Sequence, residues 1–435
     1  MASLATSLRN STLVVLHKKS IIDTNQEVRA IYPHLFSLLR FSLGIDPQFD
    51  SRLTAEEWLL LDEEAKRQAM RGVLYDGVRR LGIDVAPPLP LAMKWARHRE
   101  TLNGLNALFN SEAARLTQLF EAQGHRTAIL KGQANARLYP DPMSRQPGDI
   151  DIWVSGGRKA VEEMLDALGL MAGAATDQPH HIHLAPEVAQ VPVEVHNRPS
   201  HGNLNRRTNA RMQAWLNEQL DQGTTMCPEG FRTPSLPFAM VMQLSHISVH
   251  LLLEGLGMRQ VTDYYMLLRA ASADERRLVA DNLKRLGLYY VAGALMWVLG
   301  EVLHLEPERM LARPNRRRGQ WMLDRIIDGG NFGHYGAEAD PSRSMMQSFV
   351  GQRRHHWQLM MFNPSEAVSY LRFDWDLLVD LLSTIPERIR RRSLRLDGHY
   401  YEWVKQREAR LLKEDLENEY RIAEREQNRK GGNER

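Results

Sequence analysis

Cysteine, long apolar runs and net charge are all scarce in this 435-residue sequence. The single cysteine, Cys227, excludes an internal disulfide and favours a reducing compartment, so we predict a cytoplasmic location. No stretch approaches the about 18 uninterrupted apolar residues of a membrane-spanning helix, so no membrane span is predicted. The formal net charge is only +3, which predicts no general attraction of the chain to polyanions.

The composition is that of an ordinary soluble globular protein. Apolar residues make up 43% of the chain and charged residues 25%. The length allows one large or two modest domains. A short apolar stretch at residues 12–16 is followed at once by His17, Lys18 and Lys19, and it is too short for a signal peptide. We therefore predict a loosely ordered leader over residues 1–25.

Helical patterns dominate both sides of a central segment. Residues 26–124 are predicted to form an N-terminal helical region, in which Thr54 and Glu57 have the spacing of a capping box. Residues 204–396 are predicted to form a C-terminal helical domain. The end of the chain, residues 397–435, has the composition of a charged helix and a polar tail.

The central segment, residues 125–203, contains short stretches of β type. "TAIL", "DIDIWV", "HHIHLA" and "VPVEVH" are the predicted strands, and a helix ending in glycine follows the second of them. A further short helix is predicted at about residues 133–139. We therefore predict an α+β fold, with a small mixed sheet embedded in a mainly helical chain.

Two aspartates stand one residue apart at the start of the strand "DIDIWV". Because side chains alternate along a strand, Asp149 and Asp151 share one face, while Ile150 and Ile152 share the other. Two close carboxylates raise each other's pKa unless a cation lies between them. Oxygen ligands suit Mg²⁺, and Mn²⁺ is the alternative. The spacing therefore predicts a metal site.

The same alternation places Glu194 and His196 on one face of "VPVEVH". If this strand neighbours the first, Glu194 becomes a third carboxylate over the same metal, as two-metal phosphoryl-transfer sites require. Glu194 is also a candidate to take the proton of an acceptor hydroxyl.

A phosphate-binding element is predicted before the aspartates. Lys131, Gly132 and Gln133 stand where a strand ends and a helix begins, and the amides and dipole of a helix start favour polyphosphate. Arg145 and Gly148, just before the aspartates, are further candidates for contact with the phosphates.

The stretch "AILKGQANARLYPDPMSRQPGDIDIWV" resembles the bacterial proteins known as uncharacterised nucleotidyltransferases. These proteins belong to the superfamily that includes DNA polymerase β. "LFSLLRFSLG", "VPVEVHNRPS", "HISVHLLLEGLGMRQVTDYYMLL" and "DGGNFGH" extend the similarity to about residues 30–390. The usual Gly-Ser after the first strand is here Lys131-Gly132-Gln133, and Lys-Gly is common in this family.

The resemblance implies a nucleotidyltransferase-fold core and a metal-dependent enzyme. Such an enzyme moves a nucleoside monophosphate from a nucleoside triphosphate to an acceptor hydroxyl and releases pyrophosphate. The acceptor stays open among a small molecule, a saccharide and a macromolecule. Two alternatives also stay open: a non-catalytic nucleotide-binding or regulatory module, and a toxin-like enzyme that acts on tRNA. The basic runs at residues 316–318 and 388–395 do not favour nucleic acid over simple solvation.

Several other polar residues have structural interpretations. His180, His181 and His183 are read as a solvated hairpin strand or as support for Glu194, rather than as metal ligands. His246 and His250 have i, i+4 spacing and are read as a packed or hydrogen-bonded pair.

The aspartates at two further places in the sequence also have structural interpretations. For Asp263, a polar contact between helices is at least as well supported as a nucleotide contact. The second D-x-D, Asp374 and Asp376, precedes an apolar helical run and is read as a helix cap.

Overall fold

The computed structural model describes residues 28–176, 180–203, 205–253 and 255–331, together with positions 360, 362, 364, 367–369, 371, 375, 379 and 383. The predicted leader (1–25) and the predicted charged helix and tail (397–435) lie outside the described residues. So do the second D-x-D and the basic run at 388–395.

From residue 28 onward, four helices precede the sheet: α1 (residues 28–42), α2 (Ala55–Arg67), α3 (Arg71–Val78) and α4 (Leu89–Ala122). The predicted capping box at the start of α2 is confirmed. The Thr54 hydroxyl accepts from the Glu57 amide at 3.2 Å, and the Glu57 carboxylate accepts from the Thr54 amide at 2.8 Å. A proline at the first turn starts α4, where a missing amide hydrogen costs nothing.

A four-stranded sheet follows, formed by β1 (Thr127–Ile129), β2 (Ile150–Val154), β3 (His181–His183) and β4 (Val193–His196). The strand order is β1-β2-β4-β3, with β2 parallel to β4 and both outer pairs antiparallel. The predicted α+β class, with a small mixed sheet in a mainly helical chain, is confirmed.

Two short helices accompany the sheet: α5 (Gln133–Ala136), between β1 and β2, and α6 (Gly157–Ala167), after β2. The prediction that α5 reaches Tyr139 is wrong. Tyr139 precedes Pro140, and the residue before a proline is disfavoured in the helical region, so α5 does not extend through Tyr139; it ends at Ala136 after a single turn.

The chain continues mainly as helices, apart from a two-stranded ribbon of β5 (Thr225–Met226) and β6 (Arg232–Thr233). Further helices are α7 (Arg206–Asp221), α8 (Leu236–Leu253), α9 (Met258–Ala270), α10 (Ala273–Asn282), α11 (Tyr289–Leu303) and α12 (Arg316–Gly329). Among the described residues, no helix is both long enough and apolar enough to cross a membrane.

The two faces of the sheet lie against different hydrophobic cores. Ile150, Ile152 and Val154 pack with α4 and α6 in a smaller core. Trp153, on the other face of β2, belongs to a larger core formed by the helices. Asp151 shares this second face because it is two residues from Trp153. The predicted carboxylates therefore face the helices.

The helices before and after the sheet share the larger core. The Gln68 amide donates to the Ile326 carbonyl at 2.9 Å, and its oxygen accepts from the Met258 amide at 2.9 Å. The domain boundaries at residues 124/125 and 203/204 stay predictions.

Candidate active site

The parallel pairing of β2 and β4 brings the predicted carboxylates together. Asp151 lies directly opposite Glu194 in the register of the two strands, so the predicted neighbouring position of Glu194 is confirmed. The side chain of Asp151 is fully buried, whereas that of Asp149, just before β2, is 36% exposed. The cluster therefore has a buried end at Asp151 and an open end at Asp149.

The Lys131 ammonium lies among these carboxylates. Its Nζ is 3.1 Å from Asp151 Oδ1 and 3.8 Å from Asp149 Oδ2. Burial alone would lower the pKa of Lys131, but the attraction of Asp151, Asp149 and Glu194 outweighs burial and raises it. Lys131 is therefore charged and neutralises part of the cluster.

His196 bridges the two buried carboxylates. Its Nε2 is 3.0 Å from Asp151 Oδ1 and 3.3 Å from Glu194 Oε2. Burial lowers the pKa of His196, but its hydrogen bonds to Asp151 and Glu194 outweigh that effect and raise it. Burial by itself would raise the pKa of Glu194, yet His196 and Lys131 lower it to about 2. Glu194 is therefore ionised at neutral pH.

The residues present fit a divalent metal ion. Lys131 and His196 both approach Oδ1 of Asp151, while its buried Oδ2 has no hydrogen-bond partner among the described residues. A fully buried carboxylate oxygen without a hydrogen-bond partner lowers the stability of the fold unless a cation binds to it. Asp149, Asp151 and Glu194 supply oxygen donors of the kind that Mg²⁺ and Mn²⁺ prefer.

The predicted phosphate-binding turn is centred on Gly132. Its φ is +62° and its ψ is −107°, and a Cβ there would lie 3.2 Å from the carbonyl oxygen of Asp149. The helix that follows has only one turn, so its dipole would contribute little to phosphate binding. The Gln133 side chain donates to Asn110 on α4 at 2.7 Å, which leaves only its backbone for phosphate.

Substitution of Gly132 by alanine tests this turn. We expect Gly132→Ala to destabilise the protein by about 1–3 kcal/mol, because the backbone is in a region that L residues avoid and the new methyl group presses on Asp149. Gly44→Ala is the matched control, since Gly44 also has a positive φ of +70° but open space around it. Urea denaturation should show the larger loss for Gly132→Ala; equal losses would contradict a close approach at Asp149.

Arg145 is held by a carboxylate rather than presented freely to the cleft. Its guanidinium donates twice to Asp263, at 2.8 and 2.7 Å, and the Tyr139 hydroxyl donates to the same carboxylate at 2.7 Å. Burial would raise the pKa of Asp263, but Arg145 outweighs burial and lowers it. Asp263 therefore joins α9 to the loop before β2, not to another helix, and the charge that Arg145 offers to a phosphate is smaller than predicted.

Arg259 is a cleft residue that the sequence reasoning missed. It lies on α9 one turn before Asp263, and its Nη1 donates to the Gln146 carbonyl at 3.2 Å. A Cβ at Gly148 would lie 3.4 Å from the same nitrogen, so Gly148 leaves room for the guanidinium. Burial and the nearby Arg145 lower the pKa of Arg259 to about 10, which keeps it charged at neutral pH. Arg259 and Asp263 are four positions apart and therefore lie on one face of α9, and this spacing could have identified Arg259 from the sequence.

The cleft lies between the Asp149 end of the carboxylate cluster and helices α8 and α9. Its walls include basic, amide and imidazole groups: Lys131, Arg145, Arg259, Asn135, Gln243 and His246. The predicted hydrogen-bonded pair of His246 and His250 is confirmed by a 2.8 Å contact between their Nε2 atoms. The position of His246 in the cleft wall was not predicted.

The interpretation of a solvated hairpin strand is wrong for two of the three histidines, since His180, just before β3, is 2% exposed and His181 is 6% exposed. The side chain of His183 is 44% exposed. The other interpretation, support for Glu194, agrees with the approach of His181 Nδ1 to within 3.4 Å of Glu194 Oε2. Burial lowers the pKa of His181 to about 4, so this imidazole is neutral.

Of the comparisons with known proteins, a family model identifies the family of this chain. None of the curated proteins is similar enough in sequence to match the chain. An antigenic nucleotidyltransferase-like protein from Paracoccidioides brasiliensis is 13% identical, over 41% of this chain and 88% of that one; its TM-score of 0.24 is too low to support an argument. The family model described as "Uncharacterised nucleotidyltransferase" matches residues 54–304, more than half of the chain. The chain therefore belongs to the uncharacterised nucleotidyltransferase family.

Proposed function

We propose that this protein is a metal-dependent enzyme that transfers a nucleoside monophosphate from a nucleoside triphosphate to an acceptor hydroxyl and releases pyrophosphate. The observation that carries the proposal is the register of β2 and β4, which sets Glu194 opposite Asp151 with Asp149 at the mouth of a basic cleft. Family membership supports the reaction class.

In this proposal the carboxylates hold the metal. Asp149, Asp151 and Glu194 would bind Mg²⁺ or Mn²⁺, which when bound supplies Lewis-acid activation of the reacting phosphate and of the acceptor oxygen. A carboxylate with a pKa of about 2 is a weak base. Glu194 therefore contributes more as a ligand than as the acceptor of a proton. His196 orients both Asp151 and Glu194 through one ring nitrogen.

The basic groups of the cleft would bind the triphosphate. Lys131 and Arg259 are both charged and both line the cleft wall. Gly132 and Gly148 lack side chains next to the Asp149 carbonyl and the Arg259 guanidinium, which leaves room there in the cleft. Arg145 would act mainly by holding α9, and hence Arg259, against the loop that carries Asp149. We also propose a cytoplasmic location, where nucleoside triphosphates are abundant.

Calorimetry with a non-hydrolysable triphosphate, with and without Mg²⁺, tests the binding step. We expect metal-dependent binding by the native chain and none by the double variant Asp149→Ala, Asp151→Ala. Because Asp151 is buried, Asp149→Asn alone serves as a second variant whose fold is not at risk. Unchanged binding in Asp149→Asn would contradict the proposed metal position.

Release of pyrophosphate, measured with saccharide, small-molecule and tRNA acceptors, tests the reaction. Release with one class identifies the acceptor, and tRNA would identify the toxin-like alternative. Metal-dependent binding without release from any of the three classes would support a regulatory module instead.

A further inference from the structure

We propose that His181, His183 and Glu194 form a transition-metal site next to the Asp149–Asp151 position. The two histidines alternate on β3 and therefore share a face, and His183 pairs with Glu194 in the register of β3 and β4. One ligand atom from each residue can be chosen so that all three lie within 4.8 Å of one another. The proposal shares Glu194 with the proposed function but does not require a nucleotide.

The distances around Glu194 suit a carboxylate shared between two positions. One of its oxygens lies 3.4 Å from His181 Nδ1, and the other lies 3.7 Å from His183 Nδ1. On its other side Glu194 meets His196, which also contacts Asp151. Oε2 of Glu194 lies near both His181 and His196, whereas Oε1 lies near His183, so Oε1 can serve the histidine side while Oε2 serves the aspartate side.

The donor set selects the class of metal. Two imidazoles and one carboxylate suit Zn²⁺, Mn²⁺, Fe²⁺ or Co²⁺, whereas Mg²⁺ prefers oxygen ligands alone. Three protein ligands leave coordination positions for water or a substrate. The side chain of His183 is 44% exposed while that of His181 is 7% exposed, so the site is anchored inside and reachable from solvent.

The contacts within the cluster also favour a missing ligand. His181 Nδ1 is buried and has no hydrogen-bond partner among the described residues. Ligand atoms that bind one tetrahedral metal at ~2.0–2.1 Å lie roughly 3.3 Å apart, close to the 3.4 and 3.7 Å that separate the two Nδ1 atoms from the Glu194 oxygens. A metal on both Nδ1 atoms would leave a hydrogen on each Nε2, so the 2.9 Å contact between the Nε2 atoms of His181 and His183 would open by a small ring rotation.

A second histidine pair is the main rival for a bound metal. His246 and His250 also have nitrogens in contact, at 2.8 Å. Within the part of the chain that the structure describes, that pair does not join a third histidine, cysteine or carboxylate in a group of metal-ligand spacing. The β3–β4 cluster therefore has the fuller ligand set.

Titration with Co²⁺, after removal of metals with a chelator and in the absence of nucleotide, tests the proposal on the full chain. Cobalt held by imidazoles and a carboxylate gives visible d–d absorption. We expect the native protein to show it and His183→Gln to bind Co²⁺ at least about tenfold more weakly, because one ligand is gone. His304→Asn is the matched control, since it removes a histidine of similar exposure far from the sheet.

Two outcomes would overturn the site. One is an unchanged Co²⁺ spectrum and affinity in His183→Gln. The other is loss of the spectrum in Asp149→Asn, which would place the ion with the aspartates. Binding of the Mg²⁺–triphosphate complex should remain unchanged in His183→Gln. Failure of the histidine site would therefore appear in the Co²⁺ titration alone, whereas failure of the proposed function would appear in triphosphate binding by the native protein.

Discussion

Replacement of Asp151 by asparagine is expected to reduce both stability and function, whereas replacement of Asp149 should reduce function alone. Asp151 is fully buried and is contacted by Lys131 at 3.1 Å and by His196 at 3.0 Å. Removal of one partner from a buried charge cluster costs about 3–5 kcal/mol, because the remaining charges lose their compensation. Asp149 is 36% exposed, and its Oδ2 lies 3.8 Å from Lys131 Nζ. A partly exposed ion pair of this kind contributes at most about 1 kcal/mol to the free energy of unfolding.

Urea denaturation and Mg²⁺-dependent triphosphate binding, measured on the same samples, check this contrast. Both variants should bind the triphosphate at least about tenfold more weakly, because each loses a ligand oxygen for the metal. Native protein should gain stability with Mg²⁺ and triphosphate, while the two variants should gain little. Equal stability losses in Asp149→Asn and Asp151→Asn would contradict the buried cluster described above.

Lys131→Met should destabilise the metal-free protein and strengthen metal binding at the same time. The Lys131 ammonium now neutralises three carboxylates, so its removal leaves Asp149, Asp151 and Glu194 to repel one another. A divalent ion would replace the lost charge. Triphosphate affinity should nevertheless fall about ten- to a hundredfold, because one charge-assisted contact worth roughly 1.5–3 kcal/mol is lost.

Melting temperatures with and without Mg²⁺ separate these effects. Metal should restore most of the stability that Lys131→Met loses. The matched control is Lys94→Met, because Lys94 pairs with the buried Asp62 at 2.7 Å on the helical side, and metal should not restore that variant. A loss of stability in Lys131→Met that metal leaves untouched, together with unchanged triphosphate affinity, would make Lys131 a scaffold residue.

The sheet and its carboxylates were predictable because the signals are local. Alternation of apolar and acidic residues assigns Asp151 to the face of "DIDIWV" that carries Asp149, and Glu194 to the polar face of "VPVEVH", without any knowledge of the fold. That the two strands pair in register was shown only by the structure. The short helix was predicted too long because the effect of Pro140 on the backbone of Tyr139 was not taken into account.

The rest of the cleft depends on contacts between distant parts of the chain. Arg145 and Asp263 are separated by 118 positions, and only the packing of α9 against the loop before β2 brings them together. Arg259 enters the cleft by the same packing. The burial of His180 could not be predicted either. His180 directly precedes β3, which lies at the edge of the sheet, and residues at a sheet edge are usually expected to be exposed to solvent.

The length of α4 has a consequence for how this family can diverge. The helix has 34 residues and spans about 51 Å, with Leu91 and Trp95 in the larger core and Phe109 and Phe120 in the smaller one. One residue inserted in the middle of α4 would rotate the side chains of its second half by about 100° around the helix axis. An insertion of two whole turns would restore their direction but would shift the sheet by roughly 10 Å along the axis. Related chains that keep both cores must therefore conserve the spacing from Trp95 to Phe109 and accept insertions only in the loops.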